Sequence, residues 1–260
     1  MERMDIFGLT VDVANMEEVV CCCLDWAKDG ESRYVCVANV HMTIEAHRAP
    51  AFAQAANGGD LVVADGFPLA LTMRLFGCCG QRQVRGTDLT RMLCQRAAAG
   101  TIPVGFVGGR ETTLRAVVEE MRRDNPGLDV AYAHSPPFRP MTPEEMEAIA
   151  KDVAASGCGI LFVGLGCPNQ ENWMANQRGR IGCVMLGVGA AFDFIAGTVP
   201  EAPRWMQRLG LEWVHRLACE PRRLWRRYLI TNTRFLMLLL LGLARLPAYR
   251  PHLLPNAERG

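Results

Sequence analysis

Asp65 follows four apolar residues, Leu61–Ala64, and precedes Gly66. If that run is a buried strand, the carboxylate emerges at the strand's carboxyl end. Partial desolvation there raises its pKa and suits it to take a proton from a hydroxyl. The competing reading is a helix N-cap for Phe67 onward. Asn39, in ANVHMTIEA beside His41, stands at a similar strand end; its amide either holds a sugar hydroxyl or phosphate or caps the following helix. Arg85, in VRGTDLTRML, sets a guanidinium beside a helix N-terminus, two donors that together bind an anion. Gly108 and Gly109 in VGFVGGRETTL let a backbone approach a pyrophosphate closely; in VGLGCPNQENW, Gly164 and Gly166 leave the strand and Gln170 and Glu171 open a helix, with Gly166 and Gln170 as candidate substrate contacts. Asp193, between Phe192 and Phe194, reads as a hydrogen-bonded structural carboxylate, with an acid/base role as the alternative. No D-x-D pair or His/Cys/Asp cluster at metal spacing occurs, so no metal is expected.

Something must hold these residues in one place. The runs Tyr34–Ala38, Leu61–Ala64, Val104–Val107, Val130–Ala133, Ile160–Gly164 and Val184–Val188 are apolar throughout, as strands buried on both faces are. Amphipathic stretches lie between them, among them Thr87–Ala99, Glu111–Arg123 and Pro143–Ala155. The pattern predicts an α/β, Rossmann-like, mainly parallel sheet with helices on both faces over about residues 1–200. In such sheets ligands sit beyond the carboxyl ends of the strands, where the residues above fall.

Pro200 and Pro203 mark a boundary. Residues 1–203 carry 17 Lys+Arg against 24 Asp+Glu, whereas residues 204–250 carry ten Arg against only Glu212 and Glu220. A basic module thus follows an acidic globule. Residues 201–245 predict a helical appendage, one or two helices from about Arg204 to Ala244 broken near Pro221, and 246–260 a flexible tail. Arg216, Arg223, Arg227, Ile230 and Arg234 would share one face if the helix were continuous, beside a stripe of Trp225, Leu229, Leu236 and Leu240. Arginines flanking Trp and Leu are what an interfacial helix on an anionic leaflet requires. Leu236, Leu238, Leu239 and Leu240 are the residues expected to enter the lipid. The longest apolar run, Phe235–Ala244, is ten residues, against the ~20 that a spanning helix needs.

Among the eleven cysteines none are spaced C-x-x-C, and the adjacent pairs make an awkward disulfide framework. They read as small buried hydrophobes in a reducing compartment. The first residues show no basic segment followed by an apolar one, so no secretory signal is expected.

Five strings in order, ADG at Ala64–Gly66, RGTDL at Arg85–Leu89, GLGCPNQE at Gly164–Glu171, GVGAAFDFIAG at Gly187–Gly197 and LEWVHRLACEPRRLWRRYL at Leu211–Leu229, resemble the WecG/TagA/CpsF family of bacterial glycosyltransferases (glycosyltransferase family 26). The resemblance spans roughly residues 5–230. It implies an inverting, metal-independent transferase without cofactor. Such an enzyme moves a sugar from a UDP-sugar onto a polyprenyl-diphosphate-linked saccharide, peripherally at the cytoplasmic face of the inner membrane. It implies Asp65 as general base and Asn39, Arg85 and Gln170 as substrate contacts. Arg216, Arg223 and Arg226 are implied as appendage arginines that close over the site. The family's functional Thr two residues before Asn39 is Val37 here. Self-association is left open, and so is the identity of the sugar.

Two other classes compete. A nucleotide-dependent oxidoreductase would need the complete GxGxxG with an acid ~20 residues on, which is missing. A nucleic-acid-binding protein would use the Arg-rich end, for which FLMLLLLGLA is a poor partner.

Overall fold

In the computed structural model, which describes residues 1–254 except 138, 140 and 245, the six expected strands form one sheet. After a hairpin of β1 (Arg3–Ile6) and β2 (Leu9–Asp12) come β3 (Arg33–Ala38), β4 (Leu61–Ala64), β5 (Val104–Gly108), β6 (Val130–His134), β7 (Ile160–Gly164) and β8 (Val184–Gly187). The order across the sheet is β4-β3-β8-β7-β5-β6, with every pair parallel. The fold is α/β and Rossmann-like. The Val-rich interior strands are buried, and only β6, at an edge, is largely half-exposed.

Helices cover both faces, because side chains alternate along each strand and both sets are apolar. One core holds Met42, Leu69, Met73 and Trp173, beneath α2 (Val40–Arg48), α3 (Pro50–Asn57), α4 (Phe67–Leu75) and α8 (Asn169–Gln177). The other holds Val19, Leu89, Leu93 and Val117 beneath α1 (Met16–Lys28), α5 (Gly86–Gly100), α6 (Glu111–Asp124) and α9 (Ala191–Ile195), with Phe106 between the rings of Phe162 and Phe192. The helix expected at Pro143–Ala155 is α7, opened by a capping box of Thr142 and Glu145.

Among the described residues the C-terminal helices are three: α10 (Arg204–Arg208), α11 (Glu212–Cys219) and α12 (Pro221–Leu243). The expected break at Pro221 is present, with proline at the start of α12, where its missing N–H costs nothing. Arg216 therefore belongs to a different helix from Arg223 and Arg227, and the single continuous cationic face does not form. A further break falls at Gly210, whose φ is +71°. Helix α12 turns Leu224, Thr231, Phe235, Leu238 and Gly242 inward and packs along α2. Phe235 also meets Phe7 edge to face at 5.5 Å.

The stretch expected to be a loose tail is ordered structure as far as Leu254. After a 3-10 turn at Pro247–Tyr249, β9 (His252–Leu254) pairs antiparallel with β1, making a second sheet β2-β1-β9. The part of that expectation falling on 255–260 lies outside the described residues. Asp12 ties this small sheet to the large one, its buried carboxylate accepting from Val62 N–H at 2.7 Å.

Candidate active site

The topology brings the ends of β3, β4, β7 and β8 together at one edge. Asp65 and Gly66 both donate their backbone N–H to the Ala38 carbonyl, which joins the loop after β4 to the loop after β3. Asp65 Oδ1 accepts the Gly86 N–H at 2.9 Å. Asp65 is therefore no cap for α4, which begins without a side-chain cap. Burial pushes its carboxyl up to about 6. The Gly86 bond opposes the shift, Glu212 adds to it, and Arg85 and Arg216 pull the other way. Val37, buried one strand over, lies 3.4 Å from where a Cβ on Gly86 would stand, so an apolar wall backs this loop.

Asn39 caps α2, its side-chain oxygen accepting the Met42 N–H at 3.2 Å. One of its two alternative roles is thus occupied through that oxygen, while its Cα and Cβ stand 3.6 Å from where a Cβ on Gly66 would lie, next to Asp65 in the chain. Burial and the charge of Arg227 lower the pKa of His41, in the first turn of α2, while Glu45 and the Cys167 backbone pull it the other way. Its Nδ1 is buried without a hydrogen bond.

Gln170 is buried in the first turn of α8 beneath Gly187 and Gly189. Its Nε2 donates to Glu171 Oε1 at 2.7 Å, leaving Gln170 Oε1 and Glu171 Oε2 buried and unpaired. Burial raises the Glu171 carboxyl. Gly166, in the loop before α8, has open space around it. Gly108 and Gly109 answer a different demand. A Cβ on Gly108 would lie 2.5 Å from the Gly164 backbone, so this glycine lets β5 and β7 close on each other, whatever else binds nearby.

Arg85 is not an open anion site. Its Nη2 lies 2.8 Å from Glu212 Oε1, its Nη1 3.0 Å from Asp88 and its Nη2 3.5 Å from Glu201. Burial opposes its charge, and these three carboxylates outweigh it. Further cations come from the appendage. Arg216 stacks 5.4 Å from the Phe194 ring, and Glu220 links it (3.7 Å) to Arg223 (3.0 Å). Arg216 and Arg223 both favour the charged form of Asp193, against the burial that raises its pKa. Asp193 therefore shares the arginine field rather than standing apart as a structural group. Arg227 is part-buried, its Nε has no partner, and its charge bears on His41. Arg226, by contrast, is exposed. The resemblance pointed to Arg226; helical spacing, four residues from Arg223, pointed to Arg227. Neither Glu212 nor Glu201 stands out in the sequence as a site residue. The signal that could have found Glu212 was its position as one of only two acids in the basic appendage.

The apolar face of α12 also differs from expectation. Leu238 is 5 % exposed and Leu239 packs against the core, because this side of the helix lies on α2. The outward stripe is Trp225, Leu229, Leu236, Met237, Leu240 and Leu243. Among the described residues no helix is long and apolar enough to cross a membrane. No group of three or more His, Cys, Asp or Glu among them is placed to hold a metal ion.

Comparison with known proteins gives a single direction. The model of the glycosyl transferase WecG/TagA/CpsF family matches residues 4–248. An N-acetylglucosaminyldiphosphoundecaprenol N-acetyl-beta-D-mannosaminyltransferase of Bacillus spizizenii is 30% identical over 197 residues, 75% of this chain and 74% of its own.

Proposed function

This chain belongs to the glycosyl transferase WecG/TagA/CpsF family, and on that premise we propose that it moves a sugar from a UDP-sugar onto a polyprenyl-diphosphate-linked saccharide, inverting the anomeric centre and using no metal. The observation that carries the reading is Asp65: one carboxylate at the sheet's carboxyl edge, raised to about 6, in the field of Arg85 and of Arg216 from the appendage. A group with that pKa is ionised at neutral pH yet basic enough to accept a proton. In the reaction Asp65 takes the proton from the acceptor hydroxyl as its oxygen attacks C1 of the donor sugar. The C1–O bond to the diphosphate breaks, UDP departs with the electron pair, and a single displacement inverts C1.

The charge that develops on the leaving diphosphate needs cations. Arg216, Arg223 and Arg227 supply them, since guanidinium groups bind diphosphate oxygens bidentately. Asn39 and Gln170, with the open backbone at Gly166, contact the donor. The outward stripe of α12, with Arg222 and Arg226 near it, rests on the inner leaflet of the cytoplasmic membrane as a peripheral anchor and meets the lipid-linked acceptor there. Residues 1–200 form the catalytic domain and 201–245 the appendage that completes it. The relative's transferred sugar, N-acetylmannosamine, is the first donor to try, ahead of glucose and glucuronic acid. The test is transfer from a panel of UDP-sugars, in EDTA, onto a polyprenyl-diphosphate-linked acceptor, with the anomer of the product read by NMR. A product that retains the donor's configuration, or none from any UDP-sugar, would refute the proposal.

A further inference from the structure

The appendage meets the catalytic edge at several points. Its turn between α10 and α11 lies on Phe67, two residues after Asp65: a Cβ on Gly210 would stand 2.3 Å from the Phe67 ring. Only a glycine, and only at the positive φ seen there, admits that approach. Two residues on, both oxygens of Glu212 are engaged. Oε1 accepts Arg85 Nε at 3.1 Å and lies 2.8 Å from its Nη2, and Oε2 accepts Gln83 Nε2 at 3.0 Å. The linker before α10 is pinned to the same place, Glu201 pairing with Arg91 at 2.7 Å and reaching Arg85 at 3.5 Å.

A carboxylate in the first turn of a helix favours that helix by itself. That ordinary role leaves the contacts of Glu212 with two residues more than 120 positions earlier unexplained. It also leaves unexplained why Arg85 has no side open for a phosphate. We propose that Glu212 is a positioning residue: through Arg85 and Gln83 it docks the C-terminal helices on the catalytic edge and so holds Arg216 over the Phe194 ring there. The inference rests on the reading of Asp65 as the base, and it recasts Arg85 as a docking post for the appendage. The charged groups facing Asp65 are then Glu212, Arg85 and Arg216, with the Gly86 N–H as its hydrogen-bond donor.

The test uses the full chain as wild type, Glu212→Ala, Glu212→Gln and Asp65→Asn. Hydrogen exchange over 204–243 reads docking. In Glu212→Ala it accelerates about tenfold or more in α10 and α11, the size expected for loss of a charge-assisted pair, while the large sheet stays protected. Glu212→Gln keeps the size and an accepting oxygen but removes the charge. It moves the acid limb of the transfer rate to lower pH, because it takes away a negative charge beside Asp65 and leaves Arg85 less neutralised, a shift that loss of packing alone would not produce. Unchanged exchange in Glu212→Ala, or an unmoved acid limb in Glu212→Gln, overturns the proposal. Asp65→Asn separates this inference from its premise. If that variant transfers normally, the reading of Asp65 as base has failed, and the exchange result alone still decides whether Glu212 docks the appendage.

Discussion

Four side chains on the outer face of α12, Leu236, Met237, Leu240 and Leu243, are 55, 56, 57 and 48 % exposed. Moving a whole Leu or Met side chain out of water is worth ~1.5–3 kcal/mol. With about half of each still exposed, the four together offer roughly 3–6 kcal/mol to a lipid interface. Replacing all four by Ser should therefore weaken partition onto anionic vesicles by about a hundredfold or more, since 1.4 kcal/mol is a factor of about ten. Little stability is at stake, because none of the four is in the core. Leu238→Ser is the matched control. It sits 5 % exposed among core residues, so it should cost about 2–5 kcal/mol of folding stability and lower Tm while leaving vesicle binding of the folded protein unchanged. The assay is liposome flotation beside thermal unfolding. A quadruple variant that floats with the vesicles as wild type does would refute the anchor, and the stripe would then need a protein partner to cover it.

Arg227→Ala should reduce transfer by tenfold or more, the scale of a lost charge-assisted contact, while Arg226→Ala should change only vesicle binding, by about 1 kcal/mol; kinetics on a short-chain soluble acceptor tell them apart. Transfer should persist in excess EDTA, and a strict dependence on added Mg²⁺ or Mn²⁺ would contradict the arginine mechanism. Asp65 must be ionised to act, so the rate should fall as pH drops through about 6; a limb near pH 4 would place the base elsewhere. The same raised pKa has a stability consequence. The folded state holds the Asp65 proton up to about 6 and the unfolded chain only to about 3.8, so stability falls as pH rises between those values. Asp65→Asn, which cannot ionise, should accordingly be more stable than wild type at pH 7.5, by about 3 kcal/mol at most, measured by denaturant unfolding.

The large sheet is legible because each of its strands is an unbroken apolar run, and burial on both faces leaves no other reading. The hairpin β1–β2 is not: RMDI and LTVD mix charge with apolar residues, and their partner β9 lies almost at the other end of the chain. The loops after β3, β4 and β7 are legible for the same reason as the sheet, since a polar residue following such a run must emerge at the edge. Contacts between distant segments leave no trace in local pattern. Arg85 reads as an anion site from its neighbours Gly86 and Thr87, and only the fold reveals that Glu201 and Glu212 join Asp88 around it. Leu238 and Leu240 look alike in FLMLLLLGLA, and what separates them is the position of α2.

The measurement closest to the central claim is the transfer rate of Asp65→Asn with UDP-sugar donor and polyprenyl-diphosphate-linked acceptor, taken together with donor affinity. The Gly86 N–H still finds an acceptor in the amide oxygen, so the site should keep its shape. The rate should fall by ~10²-fold or more, the contribution of a positioned base, with UDP-sugar binding nearly unchanged. A variant that keeps more than half the normal rate would contradict the account and turn attention to Asp193, a second carboxylate in the field of Arg216.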